Sequence, residues 1–305
     1  MAVFAVDVPL RWVDLDAQAH VNNALVVDYL QEARVRALLS GPLGSILSEG
    51  VVVVAHQVAY LAPIHFERGP VRVELRLGNV RAASYSYSYA LSQAGAPVAR
   101  ARTDACLFDF AAQRPRRLST AERAWFASVA EPVEPLPGLG AFRVGAAAHE
   151  LPVTVRWSDL DPYGHVNNVQ FFSYTGEARV ALSRELGAGG LRLGPGEASG
   201  TLLVARQDLR YLVQLSHRLE PYAVRTAVAR VGTTSVTFVH EIVDPLDGRV
   251  FARSLAVLVH ADADLERAAK RCAYGAFAYA GQICISVQSI YLHENIHDAF
   301  MQKFT

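Results

Sequence analysis

Residues 159–168 read DLDPYGHVNN, and residues 14–23 read DLDAQAHVNN. The correspondence runs beyond these ten letters. Arg11-Trp12 matches Arg156-Trp157, Tyr29 matches Tyr174, and Glu32-Ala33-Arg34 matches Glu177-Ala178-Arg179, every pair lying 145 residues apart. A constant offset over so many identities marks an internal duplication. Its period is far longer than the roughly 20–50 residues of a solenoid repeat and is the size of a domain.

Each copy predicts the same order of elements. VFAVDVPLRWVDLD reads as a strand entering a polar turn. HVNNALVVDYLQEARVRALL follows as a helix, with Leu25, Tyr29, Leu30, Ala33 and Leu38 largely on one face. The asparagines suit a helix start, where short amide side chains satisfy unpaired backbone N–H groups. GVVVVAHQVAYLAPIHF, GPVRVELRLGNV, SYSYSYALSQ and PVARARTDACLFDF then read as strands broken at Gly or Pro; SYSYSY has the period-two alternation of a strand with unlike faces. The second copy repeats this from VTVRWSDLD through the helix HVNNVQFFSYTGEARVALSREL to RVFARSLAVLVH. The class is α+β. EPVEPLPGLG between the copies, rich in Pro and Gly, reads as a linker. The expected organisation is unit 1 over residues 1–130, linker 131–147, unit 2 over 148–260 and an unrelated tail over 261–305.

A chain of 305 residues, 51% of them hydrophobic, can bury two cores. Its 29 basic and 29 acidic residues balance, which speaks against a nucleic-acid or membrane-surface partner. The N-terminus lacks the pattern of a signal peptide, and no run approaches ~18 apolar residues. Cys106, Cys272 and Cys284 show neither metal-ligand spacing nor a disulfide framework. These features predict a cytoplasmic protein.

Chemically, each motif sets an aspartate four residues before a histidine and opens a helix with paired asparagines. A helix N-terminus offers N–H donors and partial positive charge to a carbonyl oxygen. A neighbouring carboxylate can attack that carbonyl or deprotonate a water that does. The same residues also serve as turn and cap residues, so on their own they leave a hydrolase and a binding module open. Arg11-Trp12 and Arg156-Trp157 read as structural, and Glu32-Arg34 and Glu177-Arg179 as helix surface or interface charges. RPRR at 114–117 reads as a solvated turn, with contact to coenzyme A phosphates as the alternative.

The pattern Asp-x-Asp-x-x-Gly-His-Val-Asn-Asn, followed by an aromatic-rich helix with Glu-Ala-Arg, resembles the hotdog-fold acyl-CoA thioesterases of the 4-hydroxybenzoyl-CoA thioesterase class. The resemblance implies two hotdog units, each a long helix packed on a curved antiparallel sheet, joined as a pseudo-dimer. It implies hydrolysis of acyl-CoA or acyl-ACP to free acid and thiol, with no metal or redox cofactor. It places the catalytic carboxylate at Asp161 or Asp16, with His165 and Asn167, or His20 and Asn22, positioning water and thioester. A hotdog hydratase or dehydratase and a non-catalytic acyl-CoA-binding module are the alternatives, and the pseudo-dimer can itself pair into a homo-oligomer. The fused pair also resembles plant acyl-ACP thioesterases. Those carry an asparagine two residues after the aspartate, where this chain has Gln18 and Tyr163, so their full catalytic set does not transfer. Ala19 stands where the second copy has Gly164, and glycine permits backbone angles that alanine resists; the second motif is therefore expected to be the better site.

The tail resembles a different family. DADLERAAKRCAYGAFAYAGQICISVQSIYLHE is similar to the segment around the nucleophilic cysteine of NAD-dependent aldehyde dehydrogenases, with Cys284 at the nucleophile position. The Glu-Leu-Gly-Gly segment that supplies the base in that family does not precede it, and neither does a dinucleotide-binding domain. The resemblance therefore implies no dehydrogenase, and Cys284 reads as a small apolar residue.

Overall fold

A computed structural model describes residues 4–16, 19–133, 135–140, 142–145, 147–185, 201–261 and 301–302. Gln18 and nearly all of the 261–305 tail, including Cys272 and Cys284, lie outside the described residues. Unit 1 comprises β1 (Phe4–Val8), α1 (Asn23–Leu39), the single turn α2 (Ile46–Glu49), β2 (Val51–Tyr60), β3 (Val71–Gly78), β4 (Ser84–Gln93), β5 (Ala96–Asp109), the short β6 (Arg114–Pro115) and α3 (Thr120–Val129). Unit 2 comprises β7 (His149–Val153), α4 (Gln170–Glu185), β8 (Thr201–Tyr211), β9 (Tyr222–Val231), β10 (Ser235–Val243) and β11 (Val250–Ala261). This is the α+β architecture of two like units that the repeat predicts.

The strands form one continuous antiparallel sheet in the order β1-β3-β4-β5-β2-β8-β11-β10-β9-β7, with β6 beside β5. The order is a palindrome in repeat terms, so the units meet through β2 and β8. Tyr60 donates its hydroxyl hydrogen to the Asn23 carbonyl, and Tyr211 donates to that of Asn168, which makes Tyr60 and Tyr211 equivalent. By the same step His56 corresponds to Gln207, and Gln57 to Asp208. Gln57 and Asp208 are register partners at the seam, joined by a 3.0 Å hydrogen bond, so they mark the pseudo-two-fold axis. The pairings skip Val54 in β2 and Ala205 in β8, placing a bulge at the same point in each copy.

Both long helices pack on one face of this sheet and touch each other. Alternation along β4 puts Tyr85, Tyr87 and Tyr89 on one of the two unlike faces that SYSYSY predicts, and that face is buried. Among helix residues, Val27, Leu30 and Ala33 of α1 and Phe171, Phe172 and Ala178 of α4 are buried against it. Helix α3 begins at a capping box, Ser119 and Glu122 each accepting the other's backbone N–H. The segment between the units carries no regular element among its described residues but is tied down. Glu131 donates its N–H to Leu77, Arg206 donates to the Pro137 carbonyl, and Arg225 to that of Gly145.

Candidate active site

Each motif loop is built twice in the same way. The first aspartate is structural: Asp14 accepts the Arg11 N–H at 2.8 Å and the Tyr29 hydroxyl at 2.8 Å. Asp159 does the same with Arg156 and Tyr174. Burial, followed by these bonds to carboxylates, pushes both tyrosine hydroxyls well above their ordinary range, so they stay protonated donors. The arrangement staples the loop to the helix one turn and a half along.

The second aspartate turns toward its own loop. Asp161 Oδ1 accepts N–H groups from Tyr163 at 2.9 Å and His165 at 3.1 Å, while the Asp161 N–H bonds the His165 carbonyl. Asp16 accepts the His20 N–H at 3.4 Å, and its own N–H bonds the His20 carbonyl. The turn needs a positive φ at the residue before histidine. Gly164 has φ 78° and Ala19 has φ 59°, so the first copy keeps the backbone shape while holding alanine in the left-handed region.

Asn22 Oδ1 caps α1 through the Ala24 N–H at 3.0 Å, and Asn167 Oδ1 accepts the Val169 N–H at 3.0 Å ahead of α4. Each side-chain oxygen thus accepts one cap bond, and the amide nitrogen is the donor these side chains carry. The next asparagine reaches across the seam. Asn168 Oδ1 lies 3.0 Å from His56 Nε2, and its Nδ2 donates to Gln31 Oε1 at 3.1 Å. His56 and Gln31 belong to unit 1, so unit 1 completes the motif of unit 2. Burial, with the Arg34 charge second, pulls His56 down to about 3, so the ring is neutral.

The imidazoles have different neighbours. His165 stacks on Phe110 of unit 1 with centroids 5.3 Å apart, and Phe110 also packs on Tyr163. The Tyr163 hydroxyl donates to the Leu47 carbonyl and accepts the Val51 N–H. His20 instead meets His65 edge-on at 4.8 Å, both in unit 1. Asp161, His165 and Asn167 thus share one loop and helix mouth closed over by unit 1, and Asp16, His20 and Asn22 share the other.

Three expectations need correction or addition. Arg34 and Arg179 are buried rather than surface charges; Arg34 donates to the Tyr89 hydroxyl at 3.2 Å and Thr103 Oγ1 at 3.3 Å. Glu32 does behave as a surface charge, pairing with Arg36. Within RPRR, Arg116 is held by both Glu122 oxygens and by Glu49, so it belongs to a fixed ion-pair network rather than a free turn. Finally, His56, Gln31 and Phe110 went unassigned in the sequence, because their roles depend on contacts across the seam.

The sequence profile of the thioesterase-like superfamily matches residues 10–126 and again 155–272. The chain belongs to that superfamily. Solved structures agree on the fold. A 12:0-ACP thioesterase from Umbellularia californica superposes with a TM-score of 0.69 at 16% identity, over 85% of this chain and 94% of that one. An acyl-ACP thioesterase from Bacteroides thetaiotaomicron gives 0.61 at 11% identity, over 83% and 96%. The chain carries a second match, to the aldehyde dehydrogenase family, over residues 254–305. A 3-sulfolactaldehyde dehydrogenase of Priestia aryabhattai is 56% identical over 48 residues, and a vanillin dehydrogenase of Corynebacterium glutamicum 45% over 47. The matched segment is 16% and 15% of this chain, and it spans 10% of each dehydrogenase. No helix among the described residues is long and apolar enough to cross a membrane.

Proposed function

We propose that this thioesterase hydrolyses an acyl group carried on coenzyme A or acyl carrier protein, with Asp161 as its principal catalytic carboxylate. The observation that carries the assignment is the fixed carboxylate of Asp161, held through Oδ1 by two N–H groups of its own loop at the mouth of α4. Its Oδ2 takes none of the loop's N–H groups. That oxygen is the one to deprotonate a water, or to attack the thioester carbon directly. The partial positive charge of the α4 N-terminus stabilises the oxyanion that forms on the carbonyl. His165, fixed by Phe110, and the Asn167 amide nitrogen position water and thioester. The leaving thiolate takes up a proton and departs as free thiol.

Thiol release from a panel of acyl-CoA and acyl-ACP thioesters, with wild type and Asp161→Asn, tests this reading. Release with the wild type and its loss with Asp161→Asn supports it. Binding without thiol release, or hydration of an enoyl thioester without release, rejects it in favour of a binding module or a hydratase.

A further inference from the structure

The two helix-facing interiors differ where the repeat makes them comparable. In unit 1 the buried polar groups are joined without a break: Arg34 to Tyr89 and Thr103, Thr103 Oγ1 to His56 Nδ1 at 2.9 Å, His56 to Asn168, and Asn168 to Gln31. Unit 2 keeps the buried Arg179 but replaces its surroundings. His240 stands for Tyr89, Ala256 for Thr103, Gln207 for His56 and Gly176 for Gln31. Most of these exchanges reduce bulk, and together they remove Arg34's acceptors.

In consequence Arg179 Nη1, His240 Nε2, Ser254 Oγ, Gln207 Oε1 and Asn23 Nδ2 find no hydrogen-bond partner among the described residues. Arg179, His240, Ser254 and Gln207 are each more than nine-tenths buried. They lie together. His240 and Ser254 are register partners on β10 and β11, and Gln207 pairs with Ala256 two positions along the same face. The Arg179 charge acts on both His240 and Tyr60. The Tyr60 hydroxyl bonds the Asn23 carbonyl at the start of α1. A Cβ at Gly176 would stand 3.8 Å from the guanidinium, so the place that Gln31 fills in unit 1 borders Arg179 here. The cluster therefore reaches from the first motif's helix mouth into the core of unit 2.

A buried guanidinium N–H that has lost its neutral acceptors is costly to leave unmet, and an anion is the partner that offsets both the bond and the charge. Thr226 Oγ1 lies 2.9 Å from His240 Nδ1, and when Thr226 donates there, Nε2 carries the ring proton as an unmet donor on the sheet face shared with Ser254 and within range of the Arg179 charge. Three unmet donors grouped in one buried place, one of them charged, suit a carboxylate. We propose that Arg179, His240 and Ser254 form a subsite for the distal carboxylate of an acyl group whose thioester is presented at the first motif, beside Asp16 and Asn23. The inference rests on the thioesterase reading and names a substrate class for it, the monothioesters of short dicarboxylic acids. It also gives the two fused sites different acyl preferences, since unit 1 has its equivalent groups bonded to one another.

Glutaryl-CoA and pentanoyl-CoA differ only in that distal carboxylate. The wild type is expected to favour glutaryl-CoA in kcat/KM by about tenfold or more, and Arg179→Met to lower that ratio by about tenfold, mostly through KM. Asp16→Asn should cut glutaryl turnover more than Asp161→Asn does. Calorimetry with free glutarate against pentanoate reads the subsite without turnover: glutarate should bind, and Arg179→Met should abolish binding. Should Arg179→Met not fold, Ser254→Ala and His240→Phe carry the same comparison. A glutaryl preference absent from the wild type, together with no glutarate binding, overturns the subsite while leaving hydrolysis intact. Arg179-dependent glutarate binding by a protein that releases no thiol keeps the subsite and overturns the hydrolase.

Discussion

His56 Nε2 lies 3.0 Å from Asn168 Oδ1, a contact that joins strand β2 of one unit to the helix entry of the other. The bond makes the second motif a property of the fused pair, since no residue of unit 2 supplies it. It also ties motif, seam and acidity together, because the imidazole that makes it is buried and neutral.

Stability should therefore fall in mild acid. The folded state holds His56 at about 3, whereas the unfolded chain protonates it near 6.5. Its contribution is complete above about pH 6.5 and is lost as pH drops from there toward 3, with a limiting slope of about 1.4 kcal/mol per pH unit. Buried His240, also held well below its ordinary value, acts in the same direction. Gln207 occupies the equivalent of position 56, so His56→Gln puts a non-titrating side chain in a place the fold already accepts in its other copy. Denaturant unfolding at pH 7.5 and pH 5 should show a smaller difference for His56→Gln than for wild type. An equal difference in the two proteins would mean that His56 is not the titrating group.

Asp161→Asn should lower hydrolysis of an acyl-CoA without distal charge by about 10²-fold or more, the lower end of what a general base contributes. Asp16→Asn should cost less with that substrate. Steady-state kinetics on both variants, with circular dichroism to confirm folding, decide the matter; a larger loss at Asp16 reverses the assignment.

Much of this was legible in the sequence, for identifiable reasons. The 145-residue offset gave the two units, and the HVNN pairs gave the helix starts that Asn22 and Asn167 cap. Period-two alternation put Tyr85, Tyr87 and Tyr89 on one face of a strand, and the fold makes that face the buried one. What escaped depends on partners distant in the chain. Arg34 looks like a surface residue in Glu-Ala-Arg until β4 and β5 bring Tyr89 and Thr103 beneath it. His56 in AHQVAY has no local signal, since its meaning comes from the β2–β8 register. Helix α3 did carry a signal, the spacing Ser119-x-x-Glu122 of a capping box.

The positive φ at Ala19 and Gly164 gives a paired stability test. Gly164→Ala should cost about 1 kcal/mol, the strain of a side chain in the left-handed region. Ala19→Gly should recover part of the same strain, offset by the freedom glycine adds to the unfolded chain. Chemical denaturation of the two variants should move the midpoints in opposite directions. Destabilisation by Ala19→Gly as large as that by Gly164→Ala would show that the first loop is not strained.

Residues 1–135 expressed alone should not persist as a dispersed monomer. Strand β2 would present an unpaired edge where β8 now binds across five register pairs, and α1 would lose its contact with α4. Self-association is the expected outcome, with a second copy taking the place of unit 2, and sedimentation analysis reads it directly. A stable monomer at working concentrations would contradict this.

The last prediction concerns residues 273–305, which lie past the end of the thioesterase match and within the aldehyde dehydrogenase match. Aldehyde oxidation needs a cysteine thiolate, a base for the deacylating water and a bound nicotinamide to accept hydride. Of these the segment brings only a cysteine, Cys284, and the residues before it match the thioesterase-like superfamily. Its removal should leave thioester hydrolysis within about twofold of the full chain, and Cys284→Ser should be silent, because the residues proposed to carry hydrolysis, Asp161, His165 and Asn167 with Asp16, His20 and Asn22, all precede it in the chain. NAD-dependent oxidation of an aldehyde by the purified chain, abolished by Cys284→Ser, would show instead that the segment contributes chemistry of its own.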